Sequence, residues 1–128
     1  MIFGIGIDTI EVPRIARSVE NYGDQFLNRI FSEEEILYSS RRPHAAEHFA
    51  ARFAAKEAYA KAIGTGVRRK FVWRNVAVRK ERSGRPFIEL MGDMRNIAKA
   101  IIGGEFTVQL SMTHTKEIAE AIVTIEKL

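Results

Sequence analysis

The chain has 128 residues, of which 46% are hydrophobic and 28% charged, with a net charge of +4 and no cysteine. This length predicts one domain, residues 1–128, because smaller pieces would struggle to bury a core. The composition excludes disulfides, thiolate metal sites and a cysteine nucleophile, and no apolar run approaches the ~20 residues of a membrane span.

The start, MIFGIGIDTIEVPRI, lacks a basic leader and is interrupted by Asp8 and Glu11, which argues against a signal peptide and for a cytoplasmic protein. The basic balance favours an anionic partner: nucleic acid, an anionic membrane, a phosphorylated small molecule or an acidic protein. Its residues lie in small groups (Arg41-Arg42, Arg68-Arg69-Lys70, Arg79-Lys80), each equally readable as solvated surface.

Ile2 to Asp8 alternates with a period of two and predicts a strand. Phe3, Ile5 and Ile7 share one face, and Gly4, Gly6 and Asp8 share the other. Pro13 suits a first helical turn, followed by Ile15, Val19 and Tyr22 at helical spacing; a second short helix covers Asp24 to Ile30. Ser32 with Glu35 three residues on has the form of a capping box, opening a helix that stops before Pro43. Ala45 to Ile63 is alanine-rich and free of Gly and Pro until Gly64, which predicts a long helix. Strands follow at Trp73 to Arg79 and Pro86 to Met91, with a turn at Ser83-Gly84. A helix from Asp93 to Ile102 ends at Gly103-Gly104, and strands Phe106 to Thr113 and Ile118 to Ile125 complete the chain. Short turns between successive strands give an α+β class with an antiparallel β-sheet packed with helices.

Asp8 ends a strand whose own face is otherwise glycine, so backbone or ligand can approach closely there. It reads either as a turn cap or as a site residue. Phe49, Phe53, Glu57 and Lys61 recur every four residues and form one ridge of the long helix. The two aromatic residues predict that the ridge faces the core, so Glu57 needs a partner: Lys61 one turn on, or a metal shared with Asp8. Two carboxylates suit Mg²⁺, which takes oxygen ligands, keeps waters and shares them with substrate phosphates. Zinc is disfavoured, since His44 and His48 lack the His-Glu-x-x-His pattern and read as a surface pair. Gly64-Thr65-Gly66, beside Arg68 to Lys70, is either a helix cap or a phosphate-holding turn. Ser111-Met112-Thr113-His114 is either a polar strand end or a ligand contact, and no Gly-x-Ser-x-Gly elbow supports a serine hydrolase.

Together these stretches resemble the holo-acyl-carrier-protein synthase family, the short 4′-phosphopantetheinyl transferases. The resemblance rests on Gly4 to Glu11, on Arg52-Phe53-Ala54-Ala55-Lys56-Glu57-Ala58 with Lys61-Ala62-Ile63-Gly64-Thr65-Gly66, and on Phe31 to Glu35, Gly84-Arg85-Pro86 and Leu110 to His114, in the family's order. Thr113 departs from the pattern, where a serine often precedes the histidine.

This resemblance implies a phosphopantetheinyl-transferase-like fold and a Mg²⁺-dependent enzyme of fatty-acid and lipid metabolism. Phosphopantetheine would pass from coenzyme A to a serine of an acidic acyl carrier protein, releasing 3′,5′-ADP. Asp8 and Glu57 would be the metal ligands. Glu57, directly or through a water, would take the serine proton, and Lys61 would stabilise phosphate charge. Arg52, Lys56, Gly64, Gly66, Ser111, Thr113 and His114 would contact coenzyme A. Arg14 and Arg17 would meet the carrier, and the family's homotrimer would share its sites between neighbours. Three other readings are a nucleic-acid-binding module, a magnesium-dependent phosphohydrolase and a catalytically silent homologue. The first ranks below the transferase because most of the phenylalanines sit at core periodicity.

Overall fold

The computed structural model describes every residue except 65, 66 and 68. β1 (Ile2–Glu11) leads into α1 (Val12–Tyr22), α2 (Asp24–Ile30), α3 (Glu33–Ser40) and the long α4 (Ala45–Ile63). A 3₁₀ turn, Trp73–Asn75, precedes β2 (Val76–Lys80) and β3 (Pro86–Leu90), followed by α5 (Met94–Ile102), β4 (Phe106–His114) and β5 (Ile118–Lys127). The class is α+β and antiparallel, as expected, but the strands form two sheets: β1-β5-β4 and the hairpin β2-β3. The strand expected from Trp73 begins only at Val76, because the chain first makes the 3₁₀ turn.

The capping box at α3 forms as the sequence predicts: Glu35 N–H donates to Ser32 Oγ at 3.2 Å and Ser32 N–H to Glu35 Oε1 at 2.8 Å. α4 is buried on most sides, with Ala50, Ala54, Ala55 and Ala58 fully enclosed. Its small side chains let it lie directly on β1. A Cβ added to Gly4 would stand 2.0 Å from the carbonyl oxygen of Ala62, and one added to Gly6 would stand 1.9 Å from that of Ala58. The glycine face of β1 therefore carries helix backbone. On β5, Ala119, Ala121, Val123 and Ile125 turn inward to the same helix. The bulky face of β1 points the other way, leaving Ile5 57% and Ile7 60% exposed beside Ile122 at 42%. Cross-strand partners share a face, and Ile7 pairs with Ile122, which in turn pairs with Ser111.

Candidate active site

The glycine contacts fix β1 against the second half of α4, and this brings Ile7 and Asp8 to Glu57 and Lys61. Asp8 lies inside the strand rather than ending it, because β1 stays paired with β5 as far as Glu11. Lys61 Nζ donates to Asp8 Oδ1 at 3.0 Å and to the Ile7 carbonyl at 2.9 Å. Lys61 thus pairs with Asp8, rather than with Glu57 as its spacing on the helix suggests. Nor does the Phe49–Lys61 ridge face the core throughout: Phe49 is buried, Glu57 half-buried and the Lys61 side chain 54% exposed. Burial, and then the neighbouring Asp8, push the Glu57 carboxyl above the ordinary carboxylate range, and Lys61 only partly offsets them.

Glu57 stands between two cavities. One, of about 330 Å³, is lined by Asp8, Arg14, Ser18 and Phe53. The other, of about 480 Å³, is lined by Lys61, Gly64, Phe71 and Trp73. Both lie in the size range of small-ligand sites. Phe53 lines the smaller cavity and Trp73 the larger, and their rings stack 5.3 Å apart and 13° from parallel. Arg14 and Arg17 are exposed on α1, with Arg14 at the rim of the smaller cavity.

The remaining expected ligand contacts divide. Gly64 caps α4, its N–H donating to Ala60 O at 3.1 Å, and lines the larger cavity. Gly66 lies outside the described residues. Lys56 does not suit a coenzyme A contact. Its ammonium is fully buried and donates to Glu35 Oε1 at 2.8 Å, Trp73 O at 3.0 Å and Val76 O at 2.6 Å. These bonds use all three of its protons. Arg52 is also buried, with Nη1 donating to His48 O at 3.3 Å and the guanidinium 4.3 Å over the Tyr38 ring.

Tyr38 is itself flanked by Arg42 and Lys80, whose Nζ donates to the phenol oxygen at 2.7 Å. Partial burial opposes ionisation of Tyr38, but the bonds from Lys80 and Arg42 outweigh it and bring the phenol down to about 8. His114 lies 3.1 Å from Glu47 and edge-on to His48, near this cationic cluster, while Ser111 and Thr113 are exposed on β4. About nine helical residues, or roughly 14 Å of rise, separate Arg52 from Lys61 on α4. One chain therefore holds two clusters: Asp8, Glu57, Lys61 and Gly64 at one end of α4, and Arg52 and His114 at the other.

The family model for the 4′-phosphopantetheinyl transferase superfamily matches residues 4–121. The chain belongs to this superfamily. A holo-[acyl-carrier-protein] synthase of Koribacter versatilis is 46% identical over 126 residues, covering 98% of this chain and 99% of that one. The crystal structure of the holo-[acyl-carrier-protein] synthase of Neisseria meningitidis superposes with a TM-score of 0.86 at 35% identity, covering 99% of this chain and all of that one. A Bacillus anthracis synthase solved in complex with CoA (3′,5′-ADP) gives 0.80 at 35% identity, covering 100% and 99%. The chain is thus an enzyme of the phosphopantetheinyl transferase family, and the α+β fold is the fold of its relatives.

Sequence reasoning overlooked three residues at this site. Glu35 was one of three consecutive glutamates, and nothing distinguished the buried one beyond its capping role. Phe71 fell just before a segment read as strand and Trp73 at its first residue, although a lone tryptophan near a glycine-rich turn was an available signal.

Proposed function

We propose that this chain transfers 4′-phosphopantetheine from coenzyme A to a serine of an acidic apo acyl carrier protein, with release of 3′,5′-ADP and dependence on Mg²⁺. The observation that carries the proposal is Glu57 standing between two cavities, with Asp8 and Arg14 on one side and Lys61 on the other. The residues present fit a magnesium ion. Asp8 and Glu57 are adjacent carboxylates, and among the described residues no third His, Cys, Asp or Glu joins them to make a metal-holding group. This is the sparse oxygen donor set that Mg²⁺ accepts when substrate phosphates and water complete its shell. When bound, the ion supplies charge neutralisation at the pyrophosphate.

The chain's own residues divide the remaining work. Arg14 and Arg17 attract an acidic carrier to the α1 rim, next to the cavity that leads to Glu57. Glu57 accepts the proton of the carrier serine as its oxygen attacks the β-phosphate, and a raised carboxyl is better matched to that task at neutral pH. Lys61 exchanges its bond with Asp8 for the phosphate oxygens, whose charge grows as 3′,5′-ADP leaves. Assembly as a homotrimer is supported by the apolar outer face of β1 and β5, where Phe3, Ile5, Ile7 and Ile122 are exposed. A cytoplasmic place in fatty-acid and lipid metabolism follows from the same reading. Among the described residues no helix is long and apolar enough to cross a membrane.

Intact-mass spectrometry of an apo acyl carrier protein incubated with the chain, coenzyme A and Mg²⁺ tests the proposal. A gain of one phosphopantetheine, lost with chelator, is expected. No gain on several carriers while coenzyme A still binds would point to a silent homologue or another acceptor.

A further inference from the structure

Lys56 and Glu35 form an ion pair whose side chains are both fully buried, a costly arrangement in a chain this small. The Glu35 carboxylate accepts from Ser32 N–H and Lys56 Nζ through Oε1, and from Val78 N–H at 3.0 Å through Oε2. With the three bonds of Lys56, the pair joins the start of α3, the middle of α4, the 3₁₀ turn and β2. Only one of these bonds reaches the wall of the larger cavity, and it goes to the carbonyl of Trp73. The Trp73 indole stacks on Phe53 and meets Phe71 edge-on, with ring centres 5.0 Å apart. Lys56 immediately precedes Glu57, and successive helical residues point about 100° apart. Lys56 therefore points inward to the Trp73 backbone while Glu57 faces the cavities.

We infer that Lys56 and Glu35 are positioning residues, holding the Trp73–Phe53 stack so that the larger cavity keeps the shape that receives coenzyme A beside Glu57 and Lys61. This inference rests on the transferase reading above and assigns Lys56 a role other than ligand contact. A pair serving stability alone would be replaceable by apolar groups of similar volume without consequence for substrate binding. A positioning pair would not be replaceable in this way, because the Trp73 carbonyl would lose its donor.

The double variant Glu35→Gln/Lys56→Met leaves no unpaired charge in the core, and Trp73 is the chain's single tryptophan. With native circular dichroism, acrylamide quenching of Trp73 is expected to rise at least about twofold. KM for coenzyme A should rise about tenfold while kcat falls less than about threefold, the split that marks lost ground-state binding. Trp73→Phe keeps the backbone bond to Lys56 but shrinks the wall, and it too should raise KM. An unmoved KM in Trp73→Phe overturns the inference, whether or not the double variant folds. So does a folded double variant with KM unchanged, however its quenching behaves. Absence of transfer by the unsubstituted chain overturns the parent reading and the inference with it; transfer with an unmoved KM overturns the inference alone.

Discussion

Replacing Gly6 by alanine tests how the site is built. The added Cβ would stand 1.9 Å from the Ala58 carbonyl oxygen and 2.8 Å from the Ala62 nitrogen, about 1.5 and about 0.6 Å short of the 3.4 Å at which ordinary contact begins. Both obstacles are helix backbone, so no rotamer change relieves the clash and α4 must move off β1. Overpacking costs ~1–3 kcal/mol in general, and the upper end applies here because a whole helix has to shift. A loss near ~3 kcal/mol is a large part of a domain's ~5–15 kcal/mol stability. With a urea slope of ~1–3 kcal/mol per molar, the unfolding midpoint should fall by about 1–3 M. Activity should suffer further, because Asp8 rides on β1 and Glu57 on α4. A displacement of about 1 Å between reacting groups can cost ~100-fold in rate. Urea unfolding followed by fluorescence, alongside the intact-mass assay, measures both effects. Gly84→Ala is the control. That glycine has φ +91° with nothing within 4 Å of a new Cβ, so the variant should lose roughly 1 kcal/mol to backbone strain and keep full activity. A Gly6→Ala protein within ~0.5 kcal/mol of wild type and fully active would refute the reasoning, since surface-like tolerance is incompatible with a backbone clash.

Glu57→Gln should abolish phosphopantetheine transfer by intact mass. Its Tm without divalent cation should equal or exceed wild type, because one of two adjacent carboxylates is gone; a fall in Tm would show that Glu57 supports the fold. One of the three tyrosines should ionise near pH 8 by ultraviolet difference absorbance, and Lys80→Met should move that transition upward. The sign follows from linkage: a phenol lowered in the folded state adds stability as pH rises past about 8, and that contribution is absent below it. Arg14→Glu should slow carrier association, most strongly at low salt, without weakening coenzyme A binding; the reverse pattern would remove Arg14 from the carrier surface. Ile7→Glu should yield monomers by sedimentation equilibrium, and an unchanged mass would exclude the outer face as the contact.

Much of the fold was legible where local chemistry and tertiary packing agree. α4 was readable because nineteen residues without Gly or Pro precede a capping glycine, and the α3 start because Ser32 and Glu35 satisfy each other's backbone. The pairing of β1 with β5 was not, since those strands lie at opposite ends of the chain and no short turn marks the contact. Period-two alternation located the two faces of β1 but could not say that the glycines cover a helix. Site residues followed the same division. Asp8, Glu57 and Lys61 were nominated from spacing and resemblance, and they do converge. The direction of Lys56 depends on Glu35 twenty-one residues earlier and on two carbonyls, one at the start of the 3₁₀ turn and one just after it. A helical-ridge argument considers neighbours on one helix and has no access to such partners.

The placement of Ser111 and Thr113 bears on how many chains make one site. Cross-strand partners in an antiparallel sheet share a face, and Ser111 lies opposite Ile122, which lies opposite Ile7. Ser111 therefore belongs to the outer face, whereas Asp8, one residue from Ile7, belongs to the inner one. A ligand lying between Asp8 and Glu57 reaches Ser111 of the same chain only by crossing the sheet or rounding its β4 edge. If Ser111 does contact coenzyme A, the direct route is to the Asp8–Glu57 cluster of a neighbour packed on that outer face. In the proposed homotrimer, burying the exposed isoleucines would bring Ser111 and Thr113 to another chain's site. On this argument Ile7→Glu should cost transferase activity as well as assembly, although residue 7 touches no substrate. Monomers that retained full activity would show that a single chain's inner-face cluster suffices.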